Sequence, residues 1–364
     1  MDILTKLDRQ IRIDPPCNQP VFSTNNAATL MEPLSGDVSS RITEAAARLN
    51  RGELVAFPTE TVYGLGAEIS QTQAIETIFA IKGRPRNHPL IVHIADQTDL
   101  AFWAENIPQY AWSLIENFWP GPLTLILRKS IHVPLSVTGG QNTVGLRIPS
   151  HPIALALLTA LGPRKALAAP SANRFGHISP TLAEHVAEDF GSQLGMILDG
   201  GACTVGLEST IISCLDHSPQ LLRPGGISPT MIERVLKYRI TTETAHSTAR
   251  VSGSHASHYA PVTLLEVLGH SLLTSRLDTL LQQGMRIGAL VHSQKLQALF
   301  AAEKNVYCVL MPNDSENYGK QLYATLRMLD QQGFNRLLAE AVPNDAGWLA
   351  ITDRLLRASH YPAR

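Results

Sequence analysis

The chain has 364 residues, a length that predicts two domains, each able to bury a core of its own. Hydrophobic residues make up 44% and charged residues 17%, as in ordinary globular proteins, and the formal net charge of -1 excludes a protein that coats nucleic acid through overall basicity. Any contact with a polyanion must therefore come from local clusters of basic residues.

Cysteine usage and hydropathy bear on the compartment. The cysteines are scattered and include no C-x-x-C pair, which predicts a reducing compartment and no structural zinc site. No run of about 18 apolar residues predicts a membrane span, and the first residues lack the apolar stretch of a signal peptide. We therefore expect a cytoplasmic protein with no membrane contact. The cysteines are Cys17, Cys203, Cys214 and Cys308.

Residues 1–36 are polar and rich in proline, which predicts an N-terminal extension outside the first domain. From 37 to 238, strand-like and helix-like runs follow one another without strict alternation, which predicts one twisted α/β domain with a mixed sheet. The predicted strands cover 53–58, 90–95, 123–128, 144–149, 166–170, 196–201, 209–215 and 220–225. The predicted helices cover 39–50, 71–81, two segments within 97–118, 151–161, 181–191 and 228–237.

Residues 239–260 lose hydrophobic periodicity and are rich in Ser, Thr, Ala and His, which predicts a linker. From 261 to 364 strands and helices alternate, which predicts a smaller, parallel, Rossmann-like α/β domain. It contains no G-x-G-x-x-G, so nothing predicts dinucleotide binding there. Its predicted strands cover 262–268, 286–292, 305–311 and 336–342, and its predicted helices lie near 271–283, 293–303, 316–332 and 348–358.

Several standard catalytic signatures are absent from the chain. It contains no P-loop, no H-E-x-x-H and no G-x-S-x-G. His255 and His258 form a single pair in the predicted linker, which is too little to predict a metal site, so no metal ligands are assigned.

The most unusual stretch is a loop that carries three cations within five residues, Lys82, Arg84 and Arg86. Pro85 and Pro89 stiffen the backbone around them, so the charges are held in place. Such a cluster can hold phosphate or several carboxylates. Taken alone, it is also typical of a solvated surface.

Further polar motifs follow predicted strands in the same domain. Loops at strand ends assemble ligand crevices in α/β sheets, so these motifs are expected to converge. Several cations in one crevice repel one another unless an anion is bound, which predicts a ligand with several negative charges. Charge positioning, as in phosphoryl or nucleotidyl transfer, suits such a site better than covalent catalysis. The motifs are PTETVYGLG with Thr59 and Thr61, GLRIP with Arg147, APSAN with Ser171 and Asn173, HISPT with Ser179, GLESTII with Ser209, and LLRPGG with Arg223.

Taken together, these motifs resemble the threonylcarbamoyl-AMP synthase family in its long form, a YrdC-like domain followed by a smaller C-terminal domain. The matching stretches also include FWPGPLT, DGG and SHYAP, and they run in order from about residue 40 to 261. In the C-terminal part the likeness lies more in layout than in motif, although AITDRLLRAS is similar to the family as well.

The resemblance implies a nucleotidyltransferase that condenses L-threonine, bicarbonate and ATP into threonylcarbamoyl-adenylate and pyrophosphate. The product would pass to the downstream tRNA threonylcarbamoyl-transferase machinery, which modifies the adenosine at position 37. ATP is then a substrate, Mg²⁺ is expected to accompany it, and a weak contact with tRNA is a further expectation. The residues implied to hold L-threonine are Thr61, His93, Arg147, Ala169 and Ser209. Those implied to surround ATP are Lys82, Arg84, His88, Thr143, Ser171, Asn173, Ser179, Arg223 and Tyr259, with Lys82 and Arg84 as the catalytic pair.

The resemblance also implies that the linker, 239–260, closes over the site as a lid and that Tyr259 reaches the nucleotide. Ser257 stands where many relatives have arginine, which weakens the case for a linker contact with phosphate. Two other readings stay open. One is a carbamoyl-transfer domain of the hydrogenase-maturation type, although its acylphosphatase-like module and zinc fingers are missing. The other is a non-catalytic module that binds double-stranded RNA.

Overall fold

The structure is a computed structural model that describes residues 38–241, 250–253 and 259–360. The predicted N-terminal extension, 1–36, lies outside these residues, as does most of the predicted linker with His255, Ser257 and His258. The domain boundaries at 37, 238 and 260 stay predictions.

Residues 38–241 fold around a mixed sheet, as predicted. Its strand order is β1-β2-β7-β3-β6-β5-β8-β9, and β4 pairs with β5. The pairs β3–β6 and β5–β8 are parallel, whereas the others are antiparallel. The strands are β1 Val55–Phe57, β2 Gly64–Glu68, β3 Ile91–His93, β4 Ala104–Glu105, β5 Leu123–Lys129, β6 Thr143–Arg147, β7 Leu167–Ala168, β8 Thr210–Ser213 and β9 Gln220–Arg223.

Helices cover both faces of this sheet. Val55 and Phe57 join the apolar cluster that contains Leu49 and Leu157, whereas Ala56 between them joins the larger cluster on the opposite face. The helices are α1 Val38–Asn50, α2 Thr72–Lys82, α3 Leu100–Trp103, α4 Gln109–Phe118, α5 Leu135–Thr138, α6 Pro152–Leu161, α7 Ala183–Phe190 and α8 Pro229–Leu236.

Two predictions for this domain were wrong, and the short elements β4 and α5 were not predicted. The stretch 196–201 is not a strand, and Ile197 makes only an isolated bridge with Ala56. Met196 and Leu198 keep two backbone hydrogen bonds with Ala56 of β1, whereas beyond them the Tyr63 hydroxyl contacts Asp199 Oδ1 at 3.2 Å and the carbonyl of Gly201 at 2.8 Å. Conversely, the predicted loop 58–66 leads into β2, which sequence analysis missed. Its glycines are required there, because a Cβ at position 64 or 66 would lie 3.0–3.1 Å from the Phe57 ring.

Residues 259–360 form a second sheet in which every strand pairing is parallel, as predicted. The order is β10-β13-β11-β12. The strands are β10 Leu265–Leu268, β11 Ile287–Val291, β12 Val306–Leu310 and β13 Arg336–Glu340, and the helices are α9 His270–Gln282, α10 Gln294–Ala301, α11 Ser315–Asp330 and α12 Leu349–Ala358.

The two domains share an apolar contact. Val62, Ile178 and Leu207 from the first domain are buried in one cluster with Leu322 of α11 and Ile351 of α12. Along the described chain, no helix combines the length and apolarity needed to cross a bilayer. The packing of α11 and α12 against the first domain matters for the site described next.

Candidate functional site

A cavity of about 590 Å³, counting its open mouth, lies where the loops and strand ends of the first domain meet. Eleven of the fourteen residues predicted for the site line it, namely Thr61, Lys82, Arg84, His93, Arg147, Ala169, Ser171, Asn173, Ser209, Arg223 and Tyr259. The remaining three, His88, Thr143 and Ser179, do not line it.

Lys82 is the last residue of α2, and its ammonium group is buried in the cavity wall. Gly83 ends the helix in a left-handed conformation, with φ 64°. The Lys82 Nζ donates to the carbonyl oxygen of Ser171 at 2.7 Å and to that of Asn173. Burial, reinforced by the charge of Arg84, holds the pKa of Lys82 well below its usual value. An added anion would therefore favour the charged form.

Arg84 lies beside Lys82 and is also buried. Its Nη2 donates to the carbonyl of Pro89 at 2.9 Å and to Ser252 Oγ at 3.2 Å, whereas its Nε has no partner among the described residues. The guanidinium stands 5.9 Å from the ring centre of Phe175. Burial lowers the pKa of Arg84 to about 10, and the charge of Arg223 acts in the same direction.

Arg223 completes a set of three buried cations. Its Nε and Nη2 donate to the carbonyl of Ser209 at 3.1 and 2.8 Å, and its Nη1 donates to the carbonyl of Ser252 at 2.9 Å. The ion pairs found among the described residues include none of Lys82, Arg84 and Arg223. Carbonyl dipoles hold these charges, so the region attracts a polyanion.

Arg86 does not belong to this set, although the sequence grouped it with the other two. Its side chain is 78% exposed and forms an ion pair with Glu76 at 2.7 Å. Lys82 ends a helix whose C-terminus faces the cavity, and Arg86 lies one turn of loop further on, where the chain has reached the surface.

Arg147 also lines the cavity, and its ion-pair partner is a carboxylate that sequence analysis missed. Glu60 and Arg147 are both buried, and Glu60 Oε1 lies 2.7 Å from Arg147 Nη2. The second oxygen of Glu60 accepts the backbone N–H of Ser150 at 3.1 Å, and Arg147 Nε donates to the carbonyl of Gly121 at 3.3 Å. The pair fixes the guanidinium. The signal was present in the sequence, since Glu60 is the acidic residue between the two threonines of PTET.

His93 stands opposite Arg147 in the register of β3 and β6, so both side chains reach the same end of the cavity. Burial, and secondarily the charge of Arg147, lowers the pKa of His93 to about 3. The imidazole is therefore neutral at ordinary pH, and its Nδ1 has no hydrogen-bond partner within the described residues. It can position a ligand without adding charge.

Hydroxyl pairs and an amide supply the neutral polar groups of the cavity. Thr59 Oγ1 and Thr61 Oγ1 lie 2.8 Å apart, and Thr124 Oγ1 and Ser209 Oγ are also 2.8 Å apart. The amide nitrogen of Asn173 donates to the carbonyls of Arg174 and His177, and its Oδ1 is buried with no partner among the described residues.

Comparison with known proteins follows the same division into two domains. A family model described as Telomere recombination, covering Sua5, YciO and YrdC proteins, matches residues 47–225. A second, described as the C-terminal domain of threonylcarbamoyl-AMP synthase, matches residues 227–360. The threonylcarbamoyl-AMP synthase of Pyrococcus abyssi is 40% identical over 331 residues, which cover 88% of this chain and 94% of the relative. The chain belongs to the threonylcarbamoyl-AMP synthase family.

Other members of the threonylcarbamoyl-AMP synthase family support the assignment. The Bacillus subtilis synthase is 41% identical over 328 residues, covering 88% of this chain and 93% of the relative. The crystal structure of Pyrococcus abyssi Sua5 complexed with L-threonine superposes with a TM-score of 0.79 at 38% identity, over 88% of this chain and 94% of that one.

The three predicted residues outside the lining have other contacts in this synthase-family chain. The His88 ring lies 5.4 Å from that of Phe175, which does line the cavity. Thr143 begins β6, at the end of the strand away from Arg147. Ser179 is fully buried, and its hydroxyl donates to Glu208 Oε1 at 2.6 Å. Ser179 therefore reaches the cavity through Glu208, a lining residue that sequence analysis missed as well.

The described part of the predicted lid lies against the first domain of this family member. Arg250 N donates to Gln141 Oε1 at 2.7 Å, and Val251 packs with Ile126 and Ile211. Ser252 supplies both of its oxygens to the cavity cations, as given above. Ser252 thus lines the cavity; the linker was expected to close over the site, but no residue of 250–253 was singled out.

The cavity offers little to a metal ion. Among residues 38–241, 250–253 and 259–360, no cluster of three or more His, Cys, Asp or Glu side chains is placed to hold one. The described lining contains one carboxylate, Glu208, which pairs with Arg354; Glu60, which is not on the lining, pairs with Arg147.

Proposed function

We propose that this chain makes threonylcarbamoyl-adenylate and pyrophosphate from L-threonine, bicarbonate and ATP. One observation carries the proposal: a single cavity joins three buried cations without described carboxylate partners to a neutral end with His93, paired hydroxyls and a fixed arginine. The first part suits a triphosphate, and the second suits a small amino acid. The reaction needs both side by side.

The neutral end would hold L-threonine. The guanidinium of Arg147 can donate two parallel hydrogen bonds to the threonine carboxylate. The ion pair with Glu60 keeps the guanidinium oriented while threonine binds. Thr61, His93 and Ser209 can bond the small polar groups, while the side chain of Ala169 leaves room for the methyl group. One methyl distinguishes threonine from serine by about 1–3 kcal/mol, so serine should be a poor but measurable substrate.

The cationic end would hold ATP, with Ser171, Asn173 and Tyr259 near the nucleotide. The neutral α-amine of threonine takes up the carbon of bicarbonate with loss of water, and an oxygen of the resulting carbamate attacks the α-phosphate in line. Lys82 and Arg84 would then offset the charge that develops on the departing pyrophosphate. Direct roles of His88, Thr143 and Ser179 toward ATP stay predictions.

Mg²⁺ would arrive with the nucleotide rather than as a resident metal. Glu208 on the lining is paired with Arg354, and nearby Glu60 is paired with Arg147, so phosphate oxygens and water are the ligands left for the ion. The enzyme would act in the cytoplasm and deliver its labile product to the tRNA threonylcarbamoyl-transferase machinery. Exclusion of water by the segment at 250–253 would protect that mixed anhydride.

The two alternative readings fit less well. The cations lie buried inside the cavity, whereas a double-stranded RNA-binding surface presents them on an open face. The match of residues 227–360 to the synthase C-terminal domain disfavours a carbamoyl transferase of the hydrogenase-maturation type.

The test is a reconstituted reaction. Purified protein is incubated with ATP, labelled bicarbonate and L-threonine, and pyrophosphate and threonylcarbamoyl-AMP are quantified. We expect both products only when all three substrates are present. ATP consumption that does not depend on threonine and bicarbonate would refute the proposal.

A further inference from the structure

The carboxylate of Glu208 connects the two domains at the cavity wall. It is buried, lines the cavity and directly precedes Ser209. Its Oε1 accepts the hydroxyl of Ser179 at 2.6 Å, and its Oε2 accepts the hydroxyl of Tyr323 at 2.9 Å and Nε of Arg354 at 2.7 Å. Two of these three donors come from α11 and α12 of the second domain.

Arg354 is 0% exposed, and its guanidinium contacts Glu208, Pro224 and Tyr259 at the cavity wall. Besides Glu208 and the neighbouring Asp353, its Nη2 donates to the carbonyl of Pro224 at 2.9 Å, directly after the cavity cation Arg223. Its guanidinium carbon stands 4.8 Å from the ring centre of Tyr259. A fully buried charge is retained only where its partners are fixed, so this side chain holds three parts of the wall in one arrangement.

Tyr323 strengthens the same link. Its ring stacks on that of Tyr259 at a centroid distance of 5.7 Å, and its hydroxyl bonds Glu208. The backbone at Gly225 packs directly against the backbone of residues 208–210, because a Cβ at Gly225 would overlap it. Burial alone would raise the pKa of Glu208, but the charges of Arg354 and Arg223 lower it, so the carboxylate remains ionised.

We propose that Tyr323 and Arg354 are positioning residues of the reaction, through which the second domain fixes Glu208, and with it Ser209 and Arg223, in the cavity of the first. The second domain is then a wall of the active site, not an attached module. The inference rests on the proposed function, because the positioned residues are those assigned to threonine and ATP.

The mildest test is Tyr323→Phe, which removes one hydroxyl and keeps the ring against Tyr259. Its matched control is Tyr318→Phe on the same helix, because the Tyr318 hydroxyl is buried with no partner among the described residues and does not contact Glu208. We expect the KM for L-threonine to rise about tenfold in Tyr323→Phe and to stay at the wild-type value in Tyr318→Phe. Loss of folded enzyme alone would lower the apparent kcat and leave KM unchanged.

The second pair of variants keeps the charge. Arg354→Lys retains a cation near Glu208. It loses the second guanidinium nitrogen, which donates to the carbonyl of Pro224. Arg276→Lys is its control, since Arg276 pairs with Glu266 at 2.8 Å in the same domain, away from the cavity. We expect a rise in KM for threonine and for ATP in Arg354→Lys only. In a Glu208→Gln background, Tyr323→Phe should have a smaller effect than in the wild type.

Kinetic constants are expressed per folded molecule, with the folded fraction taken from thermal unfolding. If Tyr323→Phe and Arg354→Lys both keep the wild-type KM values, or lose activity only in proportion to unfolding, the positioning role is refuted while the synthase activity stands. If the wild type itself makes no threonylcarbamoyl-AMP, the proposed function fails independently of these variants.

Discussion

Lys82 and its neighbours show how individual residues build the cationic part of the cavity. The Lys82 ammonium group bonds two backbone carbonyls, and Arg223 bonds two more, so each cation keeps its donors oriented without a carboxylate that would neutralise it. Buried cations in this state lower their mutual repulsion by accepting an anion. A site of this kind stabilises charge in the transition state through groups already in place.

The first prediction separates these cations from their exposed neighbour. Lys82→Ala and Arg84→Ala should each lower turnover by about 10²–10³-fold, because each removes a preorganised charge from the developing pyrophosphate. Arg86→Ala is the control, since Arg86 lies on the surface and pairs with Glu76. Pyrophosphate release is the measurement, and thermal unfolding checks that the variants are folded. Wild-type rates in Lys82→Ala and Arg84→Ala would remove the phosphate role.

The second prediction concerns acid stability and a buried histidine outside the cavity. His185 Nδ1 accepts the backbone N–H of Thr181, and burial, aided by the charge of Arg327, lowers the pKa of His185 to about 3. The unfolded chain binds this proton near pH 6.5, so the stabilisation is complete above that pH and is lost as pH falls toward 3. Between pH 6.5 and 4 this amounts to about 2–3 kcal/mol of unfolding free energy.

Urea unfolding at several pH values measures the effect. The unfolding free energy of the wild type should fall more steeply between pH 6.5 and 4 than that of His185→Gln. His217→Gln, at an exposed position, serves as the control and should keep the wild-type slope. Parallel slopes in all three proteins would contradict the assignment.

At the scale of elements, the short segment 250–253 is held at both of its ends. Arg250 bonds the first domain on one side, and Ser252 bonds Arg84 and Arg223 on the other. Gly253 has φ +83°, and a Cβ there would overlap the hydroxyl of Tyr259. The backbone of this segment therefore approaches the ring more closely than any side chain would allow.

The third prediction follows from that close approach. Gly253→Ala should raise the KM for ATP about tenfold by displacing Tyr259 and Ser252. Gly284→Ala matches its backbone strain, because Gly284 has φ +72° but faces open space at the end of α9. Steady-state kinetics and thermal unfolding distinguish the two. An equal KM in both variants would mean that only strain, and not the contact with Tyr259, matters.

Elements differed in how far the sequence could predict them. The alternating strands and helices of 259–360 have local patterns, and the structure confirmed them. β2 was missed because its glycines are unfavourable for a strand on their own and are explained only by the Phe57 ring across the sheet. The stretch 196–201 is not a strand because its backbone pairing with Ala56 ends at Leu198, after which the hydroxyl of the distant Tyr63 contacts Asp199 and Gly201.

The same holds for the site: local motifs predicted many lining residues, whereas the ion-pair partners of those residues are distant in sequence. Loop motifs were enough to predict eight lining residues, because strand ends bring such loops together, whereas His93, Ala169 and Tyr259 were predicted only through the family resemblance. The partners of those residues were not predictable: Glu60 meets Arg147, and Glu208 meets Arg354 across 146 positions. Nothing in local composition says which buried charge faces which.

At the scale of the whole molecule, the fourth prediction tests whether the first domain suffices. Deleting 240–364 removes two of the three donors to Glu208 and uncovers Val62, Ile178 and Leu207. The truncated protein should retain the circular dichroism of a folded α/β domain but lose about tenfold or more in kcat/KM. Full activity in the folded fragment would refute both the predicted closure of the linker over the site and the proposed role of the second domain in positioning Glu208.

The distance in sequence between Glu208 and Arg354 also has a consequence in time. A ribosome that has just finished Glu208 must add 146 further residues before the arginine that neutralises it exists. At about 5–20 residues per second this takes roughly 7–30 s. Until then Glu208 has only the hydroxyl of Ser179, the charge of Arg223 and, once it has been added, the hydroxyl of Tyr323, so this part of the cavity wall reaches its final arrangement only after the second domain has been synthesised.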